Sequence, residues 1–121
     1  NPEFTMMEFY AAYWNYQDLM NYTEQLIRDA AMKAVGTLEC TYGGKPVDLT
    51  KPFERLTIPE AIVKYTEAGD NVANRDWLIN ALKKLGMNEE KDKLSTRSLA
   101  SLQVLYFEEV VELYPRNASL I

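Results

Sequence analysis

Residues 3–14 constrain the fold more than any other stretch of this chain. They run Glu-Phe-Thr-Met-Met-Glu-Phe-Tyr-Ala-Ala-Tyr-Trp behind Asn1-Pro2, rich in aromatics and too irregular for an amphipathic helix. Read as a strand over residues 3–13, the side chains alternate between two faces. Phe4, Met6, Glu8, Tyr10 and Ala12 share one face; Glu3, Thr5, Met7, Phe9 and Ala11 share the other. The first face draws interest because it sets a carboxylate between a thioether and a phenol. Such a carboxylate is costly to desolvate unless a cation or a hydrogen-bond donor meets it. Phe4 and Glu8 would stand roughly 13 Å apart at the rise of a strand. A ligand could then lie along it, with a planar group on Phe4 and an ammonium near Glu8 and Tyr10. The same pattern also fits a half-buried edge strand with Glu8 at its rim.

Bulk properties narrow the classes. At 121 residues the chain can form one domain with a modest core. Hydrophobic residues at 47% and charged residues at 26% fit a soluble globular protein rather than a disordered one. No run approaches the about 18 apolar residues of a membrane span, and no signal peptide opens the chain. The single Cys40 excludes an internal disulfide framework and suits a reducing compartment. No histidine is present, which removes the commonest general base and the commonest zinc ligand. The net charge of −5 argues against a nucleic-acid surface on these residues.

The remaining pattern predicts an α+β chain: the opening strand, a hairpin and about four helices. Asn15 can cap a helix over Tyr16–Val35, with Asp18 favourably placed in its first turn and Gly36 as its stop. Leu19, Tyr22, Leu26, Ala30 and Ala34 recur there at helical spacing, and the alanine-rich last turns predict close packing on a sheet. Residues 37–42 and 45–49 flank Gly43-Gly44 as a hairpin with a primed turn. That glycine pair, lying inside a hairpin pattern, reads as a turn rather than a phosphate cradle. Residues 51–56 follow as an irregular segment anchored by Phe53 and Leu56.

Thr57 and Glu60 make a capping box, with Pro59 in the first turn, for a short helix to about Tyr65. Residues 66–72 read as a loop around Gly69, Asp70 and Asn71. A helix from about Arg75 to Leu85 ends at Gly86, and residues 87–93 read as a solvated polar connector. A last helix over residues 95–112 is apolar well beyond one stripe. It is therefore either buried on two sides or missing a partner.

The decapeptide Asn1-Pro2-Glu3-Phe4-Thr5-Met6-Met7-Glu8-Phe9-Tyr10 closely resembles the second half of motif 2 in class II lysyl-tRNA synthetases. The likeness continues through Tyr16–Val35, Lys51-Pro52-Phe53-Glu54-Arg55-Leu56-Thr57 and residues 95–112. It implies that residues 1–112 are part of a class II catalytic domain, between motif 2 and motif 3. Residues 113–121 fit the family's continuation poorly, as truncation, an internal deletion or an appended tail would each explain. Their Asn117-Ala118-Ser119 sequon reads as accidental.

By resemblance, Phe4 stacks on the adenine of ATP, while Glu8 and Tyr10 face the lysine pocket. The complete enzyme implied is a cytoplasmic homodimer that uses ATP and Mg2+ to activate lysine and transfers it to tRNA(Lys). The motif 1 residues, the arginine and glutamate of motif 2's first strand, the motif 3 arginine and acids, and the anticodon-binding domain all lie outside these residues. The resemblance therefore implies no catalytic residue, no metal ligand and weak or no nucleic-acid binding within the 121 residues. A paralogue that lysylates an elongation factor shares the motif but usually carries Trp where Phe9 stands. A non-catalytic interaction module is a third reading, carried only by the apolar breadth of residues 95–112.

Overall fold

The core of the molecule comes from the second half of the chain; the computed structural model describes residues 3–112. Ile62, Leu78, Leu82, Leu94 and Leu102 are fully buried there, joined by Ala68, Tyr106 and Val111. Three helices supply most of them: α2 (Ile58–Tyr65), α3 (Arg75–Lys84) and α5 (Leu99–Phe107). A 3-10 turn at Gly69–Ala73, a short helix α4 (Glu89–Asp92) and a second 3-10 turn at Leu94–Thr96 connect them. The first half consists of the long helix α1 (Tyr16–Val35) and the antiparallel hairpin of β1 (Glu39–Tyr42) and β2 (Lys45–Asp48). The architecture is α+β.

Local chemistry explains most element boundaries. Asn15 accepts from Asp18 N while Asp18 accepts from Asn15 N, each at 3.0 Å, and this reciprocal box starts α1. Gly36, at φ 74°, ends it. Thr57 and Glu60 form the same device at α2. Asn74 and Ser98 cap α3 and α5 through single bonds to the third residue on. Gly43 and Gly44 both sit at positive φ between Tyr42 and Lys45, as a type I′ hairpin turn requires.

Several expectations are corrected. Residues 3–13 form no strand: among the described residues β1 and β2 pair only with each other, which leaves the opening segment outside any ladder. The last turns of α1 are exposed at Ala30 and Ala34, with no sheet of the described residues against them. The loop at 66–72 gives way to the Gly69–Ala73 turn beside buried Ala68. The polar connector at 87–93 holds α4, because Asn88 caps it and Glu89 and Glu90 favour the positive end of its dipole. The last helix begins at Leu99 rather than at residue 95 and passes into a π turn at Glu108–Glu112. α5 packs against both α2 and α3, so two of its sides are covered, while Val104 stays exposed. The sequon and the rest of residues 113–121 lie outside the described residues.

α1 is held to residues 49–55 through polar groups. Glu24 is the one residue of α1 that is buried. Its carboxylate accepts from Phe53 N at 3.1 Å, from Arg28 Nη2 at 2.7 Å and from Arg55 Nη2 at 3.2 Å. Arg28 also donates to Leu49 O at 2.8 Å and Lys51 O at 2.7 Å, and its guanidinium lies 5.2 Å from the Phe53 ring centre. Arg55 reaches Asn21 Oδ1 at 2.7 Å. Phe53 and Leu56 are half-buried in this clamp.

Candidate functional site

The three residues singled out from sequence lie on the opening segment, and all are exposed. Phe4 is 71% and Tyr10 87% accessible, with Glu8 also open to solvent. Glu8 and Tyr10 are brought together: the Tyr10 hydroxyl donates to Glu8 Oε1. That bond raises the Tyr10 pKa, because losing the phenol proton would set two anions side by side. Among the described residues no ring stacks on Phe4.

The geometry has a chemical consequence. With its proton directed at Glu8, the Tyr10 oxygen presents only lone pairs outward, and the carboxylate is acceptor-only. The pair therefore offers acceptors and a negative charge, and no outward donor. An ammonium, with three donors and no acceptor, complements it; an amide or carboxylate would leave an acceptor unanswered.

Phe9 lies between the two, and its ring meets Tyr22 of α1 edge-on, with centroids 5.4 Å apart and planes at 64°. Trp14 also meets Tyr22 edge-on, with centroids 5.5 Å apart and planes at 64°. Between them Tyr13 adopts φ 65°, the left-handed region that a residue with a Cβ enters at a cost. The turn at Ala12–Tyr13 lets Phe9 and Trp14 reach the same ring. Sequence reasoning placed Tyr22 on a helical stripe and missed this role. The i,i+4 pair of Glu24 and Arg28 was a visible signal for the clamp, whereas Arg55 lies 31 residues from Glu24.

A cavity of about 390 Å³ lies between α1 and residues 53–56, bounded by Leu19, Met20, Ile27, Phe53 and Leu56 among others; Phe4, Glu8 and Tyr10 do not line it. Among the described residues no group of three or more His, Cys, Asp or Glu could hold a metal ion. The described residues thus do not fit a magnesium site. No helix among them is long and apolar enough to cross a membrane.

Residues 1–111 match the family model described as tRNA synthetases class II (D, K and N). The chain belongs to this family. Within it, the protein named lysine–tRNA ligase from Variovorax paradoxus (strain S110) is 76% identical over 112 residues, which are 93% of this chain and 22% of that protein. The proteins of the same name from Cupriavidus pinatubonensis and Paraburkholderia phytofirmans are 50% and 48% identical, again over 93% of the chain and 22% of their own length. The chain thus spans about a fifth of the curated relatives it matches.

Proposed function

We propose that these residues serve lysine–tRNA ligase activity, as the part of the catalytic domain that carries one wall of the lysine and adenine sites. The observation that carries this reading is the identity of 76% over 112 residues with a protein of that name. The outward-facing acceptor pair of Glu8 and Tyr10 agrees with it. In this reading Glu8 compensates the charge of the lysine ammonium, Tyr10 accepts one of its hydrogen bonds, and the Phe4 ring stacks on adenine. A pocket built for an ammonium rejects analogues that leave its polar groups unpaired. The complete enzyme takes lysine, ATP with Mg2+ and tRNA(Lys), and acts as a cytoplasmic homodimer. The phosphate-binding and metal-binding groups come from other parts of it, and the acidic surface here carries little of the tRNA contact.

The test uses a complete ligase: that of Variovorax paradoxus with its matching segment replaced by residues 1–112. Lysine-dependent pyrophosphate exchange then reports both substrates. Phe4→Ala removes a stacking surface worth about 1–3 kcal/mol, and should raise KM for ATP. Tyr10→Phe removes one hydrogen-bonding group, a loss of about 1–3 kcal/mol, and should raise KM for lysine with ATP nearly unchanged. Normal kinetics in both variants would make the segment scaffold. The 121-residue polypeptide by itself should support no exchange above a no-protein control.

A further inference from the structure

We propose that residues 53–55 are a strap that makes α1 unfold together with the helical core behind it, with Glu54 as the latch. This coupling does not depend on the ligase reading.

The buried core cluster and the half-buried side chains packed against it all come from residues 58–111. α1 contributes none of them. It is 20 residues long, yet Glu24 is its one buried residue. Helices in proteins draw most of their stability from tertiary packing. α1 therefore depends on whatever holds Glu24, and that is the strap.

Phe53 N and Arg55 Nη2 donate to the Glu24 carboxylate, and Arg55 also reaches Asn21. Glu54, the residue between them, bonds to α2 instead. Its carboxylate accepts from the Tyr65 hydroxyl and pairs with Lys64 Nζ, both in the last turn of α2. Lys64 Nζ also lies 5.6 Å from the Tyr65 ring centre, which draws the three side chains into one cluster. Glu54 is half-buried, so its charge is partly shielded from solvent. Three consecutive residues thus bond α1, α2 and α1 in alternation. With Glu54 engaged, the clamp on α1 is anchored to a helix of the closed core, and the stability of that core is passed on to α1. With Glu54 released, the clamp hangs on an irregular segment and α1 loses that support.

The chain carries a reporter on each side of the strap: Trp14 against Tyr22 of α1, and Trp77 against Tyr106 of the core. Trp77→Phe leaves the first and Trp14→Phe the second. Urea unfolding of the dilute 121-residue polypeptide is then followed by the fluorescence of each. With Glu54 in place the two midpoints should coincide, as in one cooperative transition. Glu54→Gln should bring the Trp14 midpoint below that of Trp77 by roughly 0.5–1 M urea, and Lys64→Met should act in the same direction. The double variant should separate them no further than Glu54→Gln alone, because both changes break the same pair. A contact that merely stabilises would lower both midpoints together. A joint fall in Glu54→Gln, midpoints that stay coincident and unchanged, or transitions already separate in the parent would each overturn the proposal. Should Glu54→Gln fail to fold, Tyr65→Phe, which removes one hydroxyl, should still separate the midpoints by a smaller amount, and coincidence there would be equally decisive against it.

Discussion

Glu24 shows how much a single buried carboxylate does in this molecule. Its pKa is lowered first by the hydrogen bond from Phe53 N, then by Arg55 and Arg28, against the opposing effect of burial. A carboxylate with a folded pKa below its unfolded one adds stability above the unfolded value, lost as pH falls through the folded value. Asp48, Glu60 and Glu89 are shifted the same way by bonds from Thr50, Thr57 and Ser95. The melting midpoint should therefore fall steadily below about pH 5, the unfolded carboxylate range. Glu24→Gln should lower the midpoint at neutral pH and flatten its decline in acid. An equally steep acid decline in the variant would show that Glu24 is not among the groups responsible. At this scale the sequence singled out Phe4, Glu8 and Tyr10 through a motif. It did not disclose Glu24, because a glutamate on an amphipathic helix reads as solvated until Arg55 and Phe53 are brought to it.

The ends of α1, α2 and α3 were legible to within about one residue, since they depend on groups within four residues of each other. The box of Asn15 and Asp18 is such a local device, and Asn15→Ala should cost about 1 kcal/mol of stability, measured by denaturant unfolding. An unchanged midpoint would mean that α1 is held by its clamp alone. Gly44 is equally local: at φ 77° an added side chain is strained, although no neighbouring atom would obstruct it. The opening segment is the element that could not be read. Alternation predicts a strand, but a strand exists only against a partner, and among the described residues it has none. The short helix α4 was missed for the opposite reason: four charged residues look like a solvated loop unless Asn88 is recognised as a cap.

At the scale of the whole molecule, the apolar surface is unevenly distributed. The core between α2, α3 and α5 is closed. The opening segment and the start of α1 remain open at Met6, Met7, Tyr10, Tyr13, Tyr16 and Met20. Exposed apolar area of this kind marks an interaction surface. The 121-residue polypeptide should therefore self-associate in sedimentation experiments, and Met20→Glu, which sets a charge at the mouth of the α1 cavity, should weaken that association. Monomeric behaviour at high concentration would count against it. α5 offers less, because α2 and α3 cover two of its sides and leave Val104 exposed. By itself, the sequence determined where four of the five helices and the hairpin lie, because caps, turns and periodicity act over a few residues, and it determined the family through one decapeptide. Only the tertiary structure decided that the opening segment has no ladder among the described residues, that α5 is covered on two sides, and that Glu24 is buried among Arg28, Arg55 and Phe53 N. Each of these depends on groups far apart in the chain, whose meeting no local rule prescribes.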